Sequence, residues 1–164
     1  MNLERPLPIT FPLHGTRLIE ASAGTGKTFT LAALYLRLVL GHGNDHGDDN
    51  AFSRPLLPPE ILVVTFTEAA TEELRERIRD RLADAARLFA DTAAQADDAV
   101  LAELLNDYSD PEDRARCAQR LDAAAQWMDE AAIYTIHGFC NRMLKQHAFD
   151  SGCLLYTSPS PRDC

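Results

Sequence analysis

Eight consecutive residues, Ala21-Ser22-Ala23-Gly24-Thr25-Gly26-Lys27-Thr28, have types and spacing that could do chemistry. They follow the phosphate-loop pattern with alanine in place of the first glycine. Small residues let the backbone curl until successive amide N–H groups point at a triphosphate, and the helix that follows adds its positive N-terminal end. Lys27 would reach the outer phosphates as a point charge, and Thr28 would offer its hydroxyl to Mg²⁺. Lys27 and Thr28 are therefore the catalytic candidates, with Thr28 also the metal candidate and Ala21 to Thr28 the nucleotide-binding set. The plainer alternative is a glycine-rich turn with an incidental lysine.

A phosphate loop works only between a buried strand and a helix. Leu18 and Ile19 lie in a short apolar run, Arg17 to Ala21, that predicts the strand. Leu31, Tyr35, Leu38 and Val39 recur at helical spacing after Lys27, and Gly41 and Gly43 supply a stop. Ile61 to Phe66 is nearly all apolar and β-branched, as a strand covered on both faces of a parallel sheet would be. Next, Leu74, Ile78, Leu82 and Ala86 step by four among arginines and glutamates, predicting an amphipathic helix on the sheet with pairs such as Glu73 and Arg77. Arg75, Arg77, Arg79 and Arg81 then form a solvated face rather than a basic patch. Ser109-Asp110-Pro111-Glu112 combines an N-cap, a proline in the first turn and a capping-box glutamate, the pattern that starts with Ser109, and that helix should run to Trp127. A third apolar run, Ala132 to Ile136, precedes a helix with Phe139, Cys140, Met143, Leu144 and Ala148 on its apolar side. Three strands alternating with helices make the fold class α/β, a P-loop parallel sheet with flanking helices.

Composition narrows the partners. The chain has 164 residues, about one domain's worth at roughly 150 residues each. Its 25 acidic and 16 basic residues leave a net charge of −9, which excludes polyanion binding by bulk charge and makes any nucleic-acid contact local. Much of the acid lies in 91–132, with three basic against eleven acidic residues, so this stretch reads as a helical acidic insertion. Asp129-Glu130 mimics an acidic metal-holding motif, but Ala123 to Met128 before it is helical rather than a strand, so that reading is rejected. No apolar run is long enough for a membrane span, and Glu4 with early prolines argues against a signal peptide, so a soluble cytoplasmic protein is expected. Cys117, Cys140, Cys153 and Cys164 have no CxxC spacing and are expected to be reduced.

Two further segments accompany the loop. Thr65-Phe66-Thr67-Glu68-Ala69-Ala70, followed by Glu73-Leu74 and Arg77-Ile78, resembles the second motif of superfamily 1 helicases of the UvrD-like group. Thr135-Ile136-His137-Gly138-Phe139-Cys140 resembles the next motif, and with Glu20 to Thr28 they stand in the family's order. The lead-in Leu18-Ile19-Glu20-Ala21-Ser22-Ala23, the Thr71 variant of the second motif, and Met128-Asp129-Glu130-Ala131-Ala132 are similar to the motor subunits of bacterial helicase–nucleases. The resemblance runs from about Leu13 to Gly152 and implies a RecA-like motor domain that binds ATP with Mg²⁺. It also implies a single-stranded DNA path over Thr65, Thr67, Thr135 and His137, double-stranded DNA ends as substrate, and partner subunits. Physically, hydroxyls and amides at the C-terminal ends of parallel strands converge on the ligand crevice of an α/β sheet and grip phosphates without regard to sequence. Phe66 and Phe139 could stack on bases, though their apolar neighbours favour core positions.

The chain also departs from the family. No glutamine precedes Gln95, so the usual adenine reader upstream of the loop is missing and His14 is the nearest substitute. The acidic metal motif, the arginines that sense the γ-phosphate, the second motor domain and the nuclease domain are absent. The chain alone is therefore not expected to hydrolyse ATP. Residues 1–152 are expected to be the N-terminal part of the helicase domain. Residues 153–164 resemble translated sequencing-adaptor read-through, with the native sequence then continuing after Gly152; the plainer alternative is an ordinary Pro/Ser linker. Rival readings are another UvrD-like motor, including an AddA-type subunit, a P-loop kinase, and a non-enzymatic nucleotide-binding module.

Overall fold

The computed structural model describes residues 4–20, 26–44 and 47–148. A single turn, α1 (Leu7–Thr10), precedes α2 (Lys27–Leu40), whose buried face is Ala32, Ala33, Tyr35, Leu36, Val39 and Leu40. This face is rotated from the expected one, and Leu31 is left exposed. Gly41 ends α2 in the left-handed conformation at φ 66°, and a Cβ there would lie 2.8 Å from the Pro55 ring, so glycine is required on two counts. Arg120 closes the same helix end by donating to the Leu40 carbonyl at 3.1 Å.

A 3₁₀ turn, Pro58–Glu60, leads into β1 (Val63–Thr65). The chain then runs through α3 (Glu68–Ala90), α4 (Ala99–Asp107), α5 (Pro111–Gln126) and a second 3₁₀ turn (Trp127–Glu130) before β2 (Ile133–Thr135) and α6 (Ile136–His147). β1 and β2 pair in parallel, with Val63 opposite Ile133 and Thr65 opposite Thr135. Parallel neighbours need a long crossover, and α3, α4 and α5 supply it. The α/β reading therefore holds, with α3 packed on the strands as expected.

Four expectations are corrected. Among the described residues the sheet has two strands, and Arg17 to Glu20 is not in a strand. Leu18 is 80% exposed, because an apolar dipeptide is buried only where a neighbouring strand and a covering layer receive it. β1 is covered on one face alone, with Leu62 and Val64 exposed on the other. The apolar side of α6 is not buried at all, although Ala148 just after it is. Finally, Ser109 does not cap α5. Asp110 holds the N-cap position without a side-chain hydrogen bond, and Pro111 starts the helix.

The acidic stretch packs far more than its composition suggests. Val100, Leu101, Leu104 and Leu105 of α4 and Cys117, Leu121, Ala124 and Ala125 of α5 are buried with Ile78, Leu82, Ala85 and Phe89 of α3 in one core. Several of its carboxylates, Glu112, Asp122, Asp129 and Glu130 among them, are exposed, while Asp98 and Asp107 are half-buried in ion pairs. The arginines of α3 divide accordingly. Arg77 pairs with Glu73 at 3.2 Å as predicted. Arg75 instead reaches inward to the carbonyls of Met128 (2.8 Å) and Ile133 (3.4 Å), Arg79 pairs with Asp129, and Arg81 with Asp98.

Candidate functional site

Ala21 to Thr25 lie outside the described residues, as does the segment from 149 onward. The C-terminal end of the loop is defined from Gly26. Gly26 is the N-cap of α2 with φ 77°, a left-handed turn that glycine enters without steric cost. Gly26 has no side chain to cap this end and the first turn carries no acid, and the N–H groups of Lys27, Thr28 and Phe29, ahead of the Thr30 to Gly26 hydrogen bond, have no intrahelical acceptor and suit an anion. Lys27 is exposed, and Thr28 is half-buried at the rim of an open cleft of about 270 Å³ with Phe29, Arg77 and Arg81. Arg81 lies over the Phe29 ring at 4.9 Å. No group of three His, Cys, Asp or Glu side chains placed to hold a metal ion occurs among the described residues.

The two threonine motifs are brought together. Thr65 and Thr135 are register partners at the C-terminal ends of β1 and β2, and each strand runs almost directly into a helix. Thr67 is the N-cap of α3, its hydroxyl accepting from Ala70 N–H at 3.0 Å. Thr135 is the N-cap of α6 and accepts from Gly138 N–H at 3.0 Å. A Cβ on Gly138 would sit 3.0 Å from the Thr135 hydroxyl, which keeps this position small. The Thr65 hydroxyl lies 2.6 Å from that of Thr71, and Thr71 in turn donates to the Thr67 carbonyl at 3.1 Å. Thr65, Thr71 and Thr135 therefore brace the edge, while Thr67 and His137 are exposed on it. Phe66 is 87% exposed, which overturns its assignment to the core, and Phe139 is half-buried.

Sequence reasoning missed a buried polar cluster at the far end of α2. Arg37 is fully buried and donates to the carbonyls of Pro8 (2.9 Å) and Phe11 (2.6 Å) and through Nε to His42 Nδ1 (2.9 Å). Since Nδ1 accepts, the ring proton sits on Nε2 and is donated to Asp107 at 2.7 Å, while Arg5 also pairs with Asp107. Burial pulls the Arg37 guanidinium down to about 10 and pushes the His42 imidazole below its usual value, with the Asp107 hydrogen bond opposing the latter. At Asp107 burial acts upward, and the hydrogen bonds from His42 and Arg5 overcome it, holding the carboxyl below the ordinary range. The available signal was Arg37 itself, the sole charge between Thr28 and Leu40.

Residues 1–159 match the UvrD/REP helicase N-terminal domain, and the chain belongs to that family. It is similar to the RecBCD enzyme subunit RecB of Escherichia coli K12, with 54% identity over 147 residues, covering 90% of this chain and 12% of that protein. The Haemophilus influenzae RecBCD subunit RecB is 53% identical over 88% of the chain and 12% of its own length. The Chlamydia trachomatis subunit is 36% identical over 84% and 12%. The chain thus spans about an eighth of these relatives. No helix among the described residues is long and apolar enough to cross a membrane.

Proposed function

We propose that the chain is the front part of the RecA-like motor domain of a RecB-type ATP-dependent DNA helicase, acting on double-stranded DNA ends in recombinational repair. The observation that carries this reading is the register pairing of Thr65 with Thr135, which sets two helicase-motif segments side by side at one sheet edge. Lys27 and Thr28, with the Ala21–Thr25 loop, hold ATP. Magnesium, when bound, neutralises phosphate charge and is held through Thr28. Thr65, Thr67, Thr135 and His137 line the single-stranded DNA path, Thr67 and His137 by contact and Thr65 and Thr135 by shaping the helix starts. RecC- and RecD-like subunits are the partners and the cytoplasm the location. The chain alone binds nucleotide without turnover, because charge on a transferring phosphoryl must be neutralised from several sides.

Equilibrium binding of a fluorescent ATP analogue with Mg²⁺ tests the first half. Lys27→Ala should weaken it at least about tenfold, the loss of a charge-assisted contact. Unchanged affinity in Lys27→Ala would remove the phosphate-loop assignment.

A further inference from the structure

A second cleft of about 470 Å³ opens between α3, β2 and α6, starting at the threonine edge. Its α6 wall is Gly138, Asn141, Arg142 and Lys145, residues spaced so that they share one helix face. Its α3 wall includes Glu68 and Glu72, and Glu72 lies 3.8 Å from Arg75. Arg142 is held over the Tyr134 ring at 5.1 Å. Among the described residues neither Arg142 nor Lys145 pairs with a carboxylate, whereas all five arginines of α3 do. The whole of α6 contains no acidic residue, in a chain of net charge −9. Lysine is scarce too: Lys27 and Lys145 are the chain's two lysines.

We infer that this face of α6 continues the nucleic-acid path, with Asn141, Arg142 and Lys145 holding backbone phosphates of a single strand after it leaves the Thr67 and His137 edge. The inference rests on the reading of that edge as a DNA path. On the α3 wall Arg75 offsets Glu72 and Glu68 is left to repel a polyanion, whereas the α6 wall carries Arg142 and Lys145 and no acid, so the α6 wall carries the strand. From Gly138 to Lys145 the face extends about 10 Å along the helix axis, enough to track the backbone beyond the edge. Contacts of this kind fix position and carry no base preference.

The test is binding of a fluorescein-labelled oligothymidylate of about fifteen nucleotides by the 164-residue chain across a salt series. Arg142→Gln with Lys145→Gln is expected to weaken binding about tenfold at low salt and to flatten the logarithmic salt slope by about 1.4, two phosphate contacts' worth. The oligonucleotide should also shield Lys145 from acetylation in the unaltered chain, whereas nucleotide shields Lys27. That second readout needs no variant to fold. If Thr67→Ala with His137→Ala weakens binding but the double glutamine variant keeps affinity and slope, and Lys145 stays reactive, the α6 path is wrong and the edge assignment stands. If the unaltered chain does not bind the oligonucleotide, both fail together.

Discussion

The bundle of α2, α3, α4 and α5 and the helix α6, which forms the edge with β1 and β2, draw on the same apolar residue types, yet α6 buries none of them. Leu82 of α3 and Leu121 of α5 are fully enclosed, whereas Leu144 of α6 is 66% exposed. Even charged groups are enclosed in the bundle, where Arg37 finds acceptors at Pro8, Phe11 and His42. At the edge the hydroxyls of Thr65, Thr67 and Thr135 are spent on the local geometry that leaves Thr67 and His137 exposed. The difference separates two jobs. The bundle is a stability element, and the edge is a surface held in shape by caps and a threonine pair.

The sharpest way to break this contrast is truncation in each region. Leu82→Ala should lower unfolding free energy by about 2–5 kcal/mol, and Leu144→Ala by under about 0.5 kcal/mol, measured by urea denaturation. Similar costs at both positions would mean that α6 is packed in solution and the edge is not a free surface.

A smaller effect should come from acid. His42 has its folded pKa depressed by burial, so the unfolded chain takes up a proton that the folded chain resists. Its contribution is complete above the ordinary histidine value and is lost as pH falls below about 6.5, at no more than about 1.4 kcal/mol per pH unit. Arg37, Arg5, Asp107 and Tyr108 face the ring, and Asp107 titrates lower still. His42→Asn should flatten the stability profile just below about pH 6.5, a result readable from melting curves. An unchanged profile would place the acid sensitivity elsewhere.

Smallest is the cap at the edge. Thr67→Ala should cost about 1 kcal/mol and Thr67→Ser much less, because serine keeps the acceptor for Ala70 N–H. Equal losses from both would show that the methyl group, not the cap, matters there.

Much of this was legible in one dimension. The helix over 68–90 follows from apolar residues stepping by four, and the Glu73–Arg77 pair from their spacing alone. The two strands lie within the apolar runs Ile61 to Phe66 and Ala132 to Ile136, each one residue shorter at its C-terminal end than the run. Local patterns reach that far because backbone periodicity and capping are properties of neighbours in sequence. Which faces were covered was not legible. Phe66 sits among apolar residues yet is exposed, and the acidic stretch supplies much of the core. Burial depends on what other elements bring to a face, and a sequence pattern specifies only that a face is apolar.

The sequence alone determined the motif order, the apolar runs that hold the two strands and the glycine stop at Gly41, since each rests on residues within a turn or two of one another. Tertiary structure decided the rest: that Arg37 reaches back to Pro8 and Phe11, that His42 meets Asp107, and that α6 sets Arg142 and Lys145 across a cleft from the α3 wall. Those contacts join residues tens of positions apart, and their energies exist only once packing has removed the water between them.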